Sequence, residues 1–431
     1  MAVSGEAGVI EAPETPEAST AGDDGEGAGR TDDTLLPTRR QRRVNTAFLV
    51  TLATVVVVIL ALAGAVAWTR GHDSAAPAQP VVLGPLLALD PPADAQGVRP
   101  EAKVTVHANR GRLSAVHVVD AAGHELAGAT DPLSGSWVSS GRLALDTTYR
   151  VTTRVVGVGK HAVVRTSSFS TVHPAGYLDP TITPDKETVG IGAPIVIRFK
   201  NPVANRDIVS QGLAVSMSQP VDGAWHWFSS REVHYRPKDY WPVGEHVTLT
   251  ASLAQVDAGN NIWGEGNHSV SFTIGDSHVT TVDTDAHTMT VAVNGTVVRN
   301  VPQSSGREKY PTMGGVHVVL DKAQHVVMDS ATVGIPVNSP DGYREDVYWN
   351  VAITNGGEYV HAAPWSMGAQ GNRNVSHGCV NISPTDAKWF YSFSQVGDIV
   401  QVLGSGRPPS SSDAGTADWN MTWDQWLQPT A

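Results

Sequence analysis

Cysteine is almost absent from this sequence, since Cys379 is the only one in 431 residues. One cysteine cannot form an intramolecular disulfide, and a structural zinc site needs several thiolate or imidazole ligands. A lone cysteine is therefore either a buried bystander or a free reactive thiol.

Positive charge is also scarce. The chain has 30 Lys and Arg against 42 Asp and Glu, which gives a formal net charge of −12. Nucleic-acid binding needs a clustered basic surface, and the one such cluster is a short arginine run at positions 39–43. Nucleic acid is thus excluded as a partner.

Length and composition indicate several folded units. A chain of 431 residues exceeds one ordinary domain, so we expect two or three units plus tails. The hydrophobic content of 41% is sufficient for packed cores, and 42 Gly with 27 Pro suits many short strands joined by turns.

Residues 46–67 form an uncharged stretch that is long enough to cross a membrane as a helix. The arginine run lies immediately before it, so the positive-inside bias keeps the N-terminus cytoplasmic and places the chain after Trp68 outside. Residues 65–67 have the small side chains of a signal-peptide cleavage site. However, the stretch is longer than a usual signal core and follows a long acidic tail, which favours an uncleaved anchor. We expect a disordered cytoplasmic tail at 1–43, a transmembrane anchor at 44–68 and a linker at 69–80.

Alternation of apolar and polar residues dominates the next two hundred or so residues and predicts half-buried strands. A weak internal repeat divides them. Val98 is followed by apolar residues six and eight positions later, and Val189 is followed by the same pattern. Each half closes on a Ser-Phe pair, at Phe169 and Phe272. We expect two immunoglobulin-like sandwich modules at 81–173 and 174–276. They would act as a stalk, or alternatively bind the cell wall, a role for which no residue gives a signal.

The third unit, at 277–404, is also rich in strand patterns. Asn294 and Gly295 between two alternating runs predict a tight hairpin. One helix is expected at Ser383, a good N-cap followed by Pro384 and a capping-box residue, Asp386. The fold class is therefore mainly β.

The C-terminal segment at 405–431 is rich in tryptophan. Trp419, Trp423 and Trp426 are spaced four and three residues apart, so we expect their rings on one helical face that docks onto the third unit. This pattern is more typical of packing than of a cofactor site.

The residues that can carry chemistry lie between positions 360 and 383. A thiol attacks as the thiolate, and a nearby imidazole can take its proton. His377 is two residues from Cys379, whereas His361 must be brought close by the fold, and spacing alone does not choose between them. Gly378 permits a close backbone approach to a substrate, where N–H groups can form an oxyanion hole.

Two other interpretations apply to the same residues. A lone buried cysteine is usually inert, and a single histidine is more often structural than catalytic. A zinc site made from His361, His377 and Cys379 lacks a carboxylate ligand or a water-activating Glu in a recognisable arrangement.

The longer pattern resembles the L,D-transpeptidases with a YkuD-type catalytic fold. That family has a His, a gap of about fifteen residues, and then Ser/Thr-His-Gly-Cys, an apolar residue and Asn. Here the pattern begins at His361 and continues from Ser376 to Asn381. Residues 328–344 resemble the flap over the family's active site, and the two immunoglobulin-like modules are found in some of its members.

The resemblance implies a role for each motif residue. Cys379 would be the nucleophile and His361 its base, oriented by the carbonyl of Ala362. The oxyanion site would be shaped by His377, Gly378 and Asn381. The substrate cleft would be lined by Met328, Tyr343, Trp365 and Ser376.

The resemblance also implies the reaction and the partners. The substrates would be peptidoglycan tetrapeptide stems, joined by a 3→3 cross-link in cell-wall biogenesis, with no cofactor and no metal. Carbapenem β-lactams would acylate Cys379, and the catalytic domain would lie in the cell wall. Water as the acceptor would instead make an L,D-carboxypeptidase, and another amine would make an enzyme that attaches proteins to the wall.

Overall fold

The computed structural model describes residues 86–157, 161–410, 415 and 417–428. The predicted tail at 1–43, anchor at 44–68 and linker at 69–80 lie outside the described residues. Within the described ranges, no helix combines the length and the apolar character that crossing a membrane requires. The described chain is mainly β, as predicted.

The first module is built from two antiparallel sheets, with strand orders β1-β2-β5-β4 and β3-β6-β7. Side chains along β6 alternate between buried and more exposed positions, so one face of that sheet covers the core. The strands are β1 (Leu87–Asp90), β2 (Thr105–Ala108), β3 (Arg112–Val119), β4 (Gly128–Thr130), β5 (Trp137–Ser139), β6 (Thr148–Val156) and β7 (Val163–Ser170).

The second module has two four-stranded sheets, β10-β18-β15-β12 and β13-β14-β11-β9, and a small sheet β16-β17-β8. Its elements are β8 (Gly176–Tyr177), β9 (Pro180–Thr183), β10 (Thr188–Val189), β11 (Ile195–Phe199), α1 (Arg206–Gln211), β12 (Leu213–Ser216), β13 (Gly223–Trp227), β14 (Glu232–Pro237), β15 (His246–Ala251), β16 (Asp257–Gly259), β17 (Ile262–Trp263) and β18 (His268–Ile274).

The predicted internal repeat has a structural counterpart. Val98 forms a parallel bridge with Thr171, directly after β7. Val189 pairs in parallel with Ile274, at the end of β18. Each module therefore attaches its first repeat valine to its closing strand in the same way.

The third unit packs a five-stranded sheet, β21-β20-β19-β27-β22, and a four-stranded sheet, β23-β24-β25-β26, around one core. Its elements are β19 (His278–Asp283), β20 (Thr288–Val293), β21 (Thr296–Pro302), β22 (Gly315–Val318), β23 (Asp321–Asp329), β24 (Arg344–Ala352), β25 (Tyr359–Ala362), β26 (Val380–Ile382), α2 (Pro384–Phe393) and β27 (Ile399–Leu403).

Local sequence signals in this unit lead to the predicted structures. Asn294 and Gly295 have φ of 49° and 81°, the two positive values of a type I′ hairpin turn. Ser383 caps α2, since its hydroxyl accepts from the backbone N–H of Asp386, and Pro384 occupies the first helical position. The helix buries Ala387 and Phe390 in the core.

The second module and the third unit share a continuous interface. The N–H groups of Gly190 and Gly192 donate to the carbonyls of Val396 and Gly397 at 2.8 and 2.9 Å. A Cβ on Gly190 would lie 2.3 Å from the backbone nitrogen of Asp398, so glycine is required for this approach. Val318 and Ile399 of the third unit also belong to the core cluster of the second module. The second module is thus packed against the third unit and supports it.

Contacts between the two modules are more polar. Arg99 pairs with Asp257 at 3.0 Å, and the side chain of Gln255 donates to the carbonyl of Leu143 at 2.7 Å. The guanidinium of Arg99 also stacks over Trp263. These partly exposed contacts orient the first module without a shared apolar core.

The C-terminal tryptophans do not lie on one helix, which corrects the prediction. Trp419 ends a 3₁₀ turn (Ala417–Trp419), and Thr422 then caps a new short helix, α3 (Trp423–Trp426). The three rings instead surround the guanidinium of Arg236, at 4.8, 5.3 and 4.7 Å from their centroids. The segment therefore docks mainly onto the second module, where cation–π attraction and burial hold it.

A buried charged cluster strengthens the same contact. His234 of β14 lies between the carboxylates of Asp418 and Glu232, each 3.0 Å from one of its ring nitrogens. Burial alone would lower the pKa of His234, but the two carboxylates raise it to about 9. The imidazolium form is therefore the folded form at neutral pH.

This cluster makes stability depend on pH. Because the folded pKa of His234 lies above its unfolded value, the stabilisation is complete below about pH 6.5 and is lost as pH rises through 9. Asp418→Asn should lower the free energy of unfolding at pH 6 by about 3 kcal/mol, since it leaves a buried charge poorly compensated. Denaturant titrations at pH 6 and pH 10 measure the free energy of unfolding of both proteins. If Asp418→Asn and the unaltered protein differ by the same free energy at both pH values, the prediction is contradicted.

The two module interfaces predict different effects of truncation. Removing residues 1–173 should change the melting temperature of the remainder by no more than a few degrees. Removing residues 1–276 exposes Val318 and Ile399, which costs about 2 kcal/mol of burial free energy for each side chain. This truncation should lower the melting temperature strongly or cause aggregation. Calorimetry compares the two truncations, and equal melting temperatures would contradict the shared core.

Candidate active site

The site is organised by the pairing of two short strands. β25 and β26 run parallel, with Val360 opposite Val380 and His361 opposite Asn381. Side chains alternate across a sheet, and both valines are fully buried in the core. His361 and Asn381 therefore point to the other face, and Cys379, two residues before Asn381, points there as well.

His361 is held in one tautomer. Its side chain is buried, and its Nδ1 lies 3.0 Å from the carbonyl oxygen of Ala362. A carbonyl can only accept, so Nδ1 carries the proton and Nε2 keeps the lone pair. Burial lowers the pKa of His361 to about 4, although the bond to Ala362 acts in the opposite direction. The imidazole is neutral at physiological pH and can accept a proton.

Cys379 lies immediately before β26, and its thiol points towards the carbonyl of Gly357 at 3.8 Å. Burial raises the pKa of Cys379 to about 12, and the negative charge of Glu358 adds to this, whereas the backbone N–H of Tyr359 opposes it. The resting site thus holds a neutral thiol and a neutral imidazole. Such a pair is suited to general-base activation, in which the thiol loses its proton as the sulfur attacks.

The turn before Cys379 is tightly bonded. The hydroxyl of Ser376 donates to the carbonyl of Cys379 at 2.6 Å and accepts from the N–H of Gly378 at 3.1 Å. Gly378 has φ of 132°, and a Cβ there would lie 3.0 Å from Oε1 of Glu358, so the position requires glycine. Since the N–H of Gly378 is bonded to Ser376, it does not point freely into the cleft.

Asn381 acts on the neighbouring turn. Its Nδ2 donates to the hydroxyl of Ser366 at 3.2 Å, which fixes the 3₁₀ turn Pro364–Ser366. That turn presents Trp365, which is 53% exposed and has its ring centroid 6.1 Å from that of His361. Trp365 therefore forms a wall of the cleft beside His361.

A cleft of about 230 Å³ opens over these groups. All four predicted cleft residues line it, namely Met328, Tyr343, Trp365 and Ser376. The same cleft is also lined by His361, His377, Cys379 and Asn381. The segment between β23 and β24 covers one side as a flap. Its base is closed by two hydrogen bonds at 3.0 Å, from the N–H of Ser330 to the carbonyl of Tyr343 and from the N–H of Tyr343 to the hydroxyl of Ser330.

His377 is placed differently from His361. The guanidinium of Arg307 donates to Nε2 of His377 at 2.8 Å, and the ring lies between those of Tyr310 and Tyr343. Burial and the charge of Arg307 lower the pKa of His377. Because its Nε2 lone pair is already used, His377 is poorly placed as a base and shapes the cleft wall instead.

The same bond bears on the zinc interpretation. A cationic guanidinium on Nε2 of His377 occupies a nitrogen that a metal would need. Among the residues that the structure describes, no three His, Cys, Asp or Glu side chains come together in a way that could hold a metal ion.

Several residues of the site gave no signal in the sequence. Glu358 is buried against the turn, accepts from the N–H of Met313 at 3.2 Å and pairs with Arg407 at 2.7 Å. Burial raises the pKa of Glu358 to about 7, against the effect of Arg407. Thr312 donates to the carbonyl of Gly378 at 2.6 Å. These partners come from distant parts of the chain, so local patterns could not reveal them.

The comparisons with known proteins agree with this architecture. Residues 95–257 match the model of a bacterial Ig domain, and residues 277–402 match that of the YkuD L,D-transpeptidase catalytic domain. L,D-transpeptidase 2 of Mycobacterium tuberculosis is 40% identical over 346 residues, which cover 80% of this chain and 85% of that protein. L,D-transpeptidase 5 of the same species is 33% identical over 356 residues, or 80% and 77% of the two chains.

A solved structure of an L,D-transpeptidase in complex with imipenem is 36% identical, with a TM-score of 0.46 over 52% of this chain and 97% of that one. The fold and the site define a catalytic domain of the YkuD type behind immunoglobulin-like modules. The chain belongs to the L,D-transpeptidase family, whose reaction is peptidoglycan cross-linking. The resemblance found in the sequence is confirmed.

The two histidines predict different losses. His361→Ala should slow acylation of Cys379 at least ~100-fold, because it removes the free lone pair, whereas His377→Ala should cost far less. In the unaltered protein the rate should stay level down to about pH 5 and fall near pH 4, where His361 gains a proton. Mass spectrometry of carbapenem adducts over time measures both effects.

Glu358→Gln is the control for the pH profile, because it removes a buried carboxyl that titrates near 7. It should leave the acidic limb unchanged. A limb centred between pH 6 and 7 in this variant, or a greater loss for His377→Ala, would assign the base to a residue other than His361.

Proposed function

We propose that this L,D-transpeptidase forms 3→3 cross-links through a thioester on Cys379. The donor is a tetrapeptide stem, and the sulfur attacks the carbonyl between its third residue and the terminal D-Ala. The acceptor is the side-chain amine of the diamino acid in a neighbouring stem. No cofactor takes part in this scheme.

Each step balances with one proton carrier. The thiol proton passes to Nε2 of His361 as the C–S bond forms, and His361 returns it to the nitrogen of D-Ala as the C–N bond breaks. In the second step the amine forms a new C–N bond, the C–S bond breaks, and His361 carries the amine proton back to sulfur. Two covalent steps of moderate difficulty replace one difficult amide exchange.

One observation carries the proposal, namely the register that places the neutral, Nδ1-protonated His361 and Cys379 on one face of the β25–β26 pair. A base with a pKa of about 4 is weak, but it is fully in its accepting form at neutral pH. The partly buried thiol keeps its proton until a substrate arrives, which protects it from unspecific reactions.

The developing oxyanion needs donors in the cleft. The N–H of Gly378 already donates to Ser376, so we assign this role to the backbone N–H of Cys379 and the hydroxyl of Tyr343. Burial and nearby negative charges raise the pKa of Tyr343 to about 12, so its hydroxyl keeps the proton that it would donate.

The same nucleophile should react with carbapenem β-lactams. Their strained carbonyl would take the place of the stem carbonyl, and Cys379 would be acylated. The flap of residues 330–343 would then cover the adduct and limit hydrolysis.

The uncharged stretch at 46–67 supports a proposal for the location of the protein. We place it across the cell membrane as a single helix with a cytoplasmic N-terminus, so that the catalytic domain works in the cell wall. The first module would then hold the packed pair of the second module and the catalytic domain away from the membrane.

The defining test uses the chain from Val81 onward with a purified disaccharide-tetrapeptide. Mass spectrometry should find a dimer that has lost one D-Ala, and Cys379→Ala should form neither the dimer nor an acyl-enzyme while its circular dichroism stays normal. Tripeptide as the sole product would mean that water is the acceptor and that the protein is a carboxypeptidase. A Cys379→Ala variant that still cross-links would end the assignment of the nucleophile.

A further inference from the structure

One wall of the cleft carries a carboxylate. Strand β24 follows the flap, and Tyr343, Glu345 and Val347 line the cleft at every second position. This is the alternation expected along a strand. Glu345 lies opposite Met328 of β23, another cleft residue.

The charged neighbours of Glu345 face the other side and are paired. Arg344 lies 3.6 Å from Asp329, and Asp346 lies 2.7 Å from His325. The carboxylate of Glu345 has no hydrogen bond or ion pair with any of the residues that the structure describes, although its backbone pairs with β23. Burial raises the pKa of Glu345, with no cation acting against it.

Groups of the other sign lie against His377, which also lines the cleft. Arg307 and Lys309 both pair with Asp341, so two cationic groups share one carboxylate beside His377. Glu345 is exposed to solvent on the cleft side, so a charged ligand in the cleft meets a free carboxylate there. A donor stem ending in a carboxylate would be repelled by Glu345 and attracted towards the cationic groups beside His377. The wall at Glu345 is therefore suited to a positively charged group.

We propose that Glu345 is a specificity-determining residue that binds the ammonium group of the acceptor stem beside Cys379. This inference rests on the proposed function and deepens it, because it assigns the acceptor amine to a particular wall of the cleft. The ammonium must lose a proton before it attacks. Glu345 can take that proton from nitrogen and pass it to water, which leaves the neutral amine next to the thioester.

The test separates the two half-reactions of the full-length chain. The donor is a disaccharide-tetrapeptide whose side-chain amine is acetylated, so that it cannot act as an acceptor. The acceptor is either a tripeptide stem with a free amine or hydroxylamine, which is uncharged at neutral pH. For each, the ratio of aminolysis to hydrolysis is measured against acceptor concentration, and D-Ala release reports acylation.

Glu345→Gln should lower the aminolysis ratio with the stem amine by roughly two- to fivefold, the contribution of about one exposed charge pair. Its effect on D-Ala release and on the hydroxylamine ratio should be clearly smaller. Asp346→Asn is the matched control, since it removes the same charge one residue away on the opposite face, and it should behave like the unaltered protein.

Three results would overturn the inference. They are an unchanged stem-amine ratio in Glu345→Gln, an equal loss with hydroxylamine, or the same loss in Asp346→Asn. In all three cases the proposed function stands if the unaltered protein transfers the acyl group to the stem amine. An unaltered protein that releases D-Ala but yields only tripeptide would overturn both.

Discussion

The parallel pairing of β25 with β26 is the constraint on which the chemistry depends. Val360 and Val380 insert into the core of the catalytic domain, and this fixes the register. A slip by one residue would turn His361 towards the core and a valine towards the cleft. Burial of two apolar side chains thus sets the position of His361, the proposed base, relative to Cys379, the proposed nucleophile. Desolvation of these two groups themselves keeps both uncharged.

The turn that carries Cys379 is supported from distant parts of the chain. Ser304 pairs with Asn381 through two backbone bonds of 2.9 Å, and Thr312 holds the carbonyl of Gly378. Arg407, from the segment after β27, neutralises Glu358 beneath the turn. The positions of the reacting groups are therefore set by contacts between remote elements, which suits a site that must hold its geometry without a metal or a covalent crosslink in the scheme proposed here.

Charge is distributed unevenly around a nearly neutral centre. The thiol and imidazole are uncharged at rest, whereas Glu345 lines the cleft and the Arg307 cluster lies against His377. An uncharged centre can be desolvated at a low free-energy cost. The charged groups around it can then orient substrates whose two ends carry opposite charges. The catalytic domain is supported by the second module, with which it shares an apolar core. The C-terminal tryptophans that surround Arg236 add to this support.

The sequence by itself determined what short-range physics controls. Features that depend on residues a few positions apart could be predicted from the sequence. They are the hairpin at Asn294 and Gly295, the capped helix after Ser383, the strand periodicity and the Ser376 to Asn381 motif. The tertiary structure decided the rest. Our proposal of His361 rather than His377 as the base rests on the bond to His377 from Arg307, 70 residues away. A cap at Thr422 separates the tryptophans into two turns, and their rings contact Arg236. Glu345 falls between the two cases. Alternation from Tyr343 places it on the cleft face, but only the folded cleft leaves its carboxylate without a counter-charge.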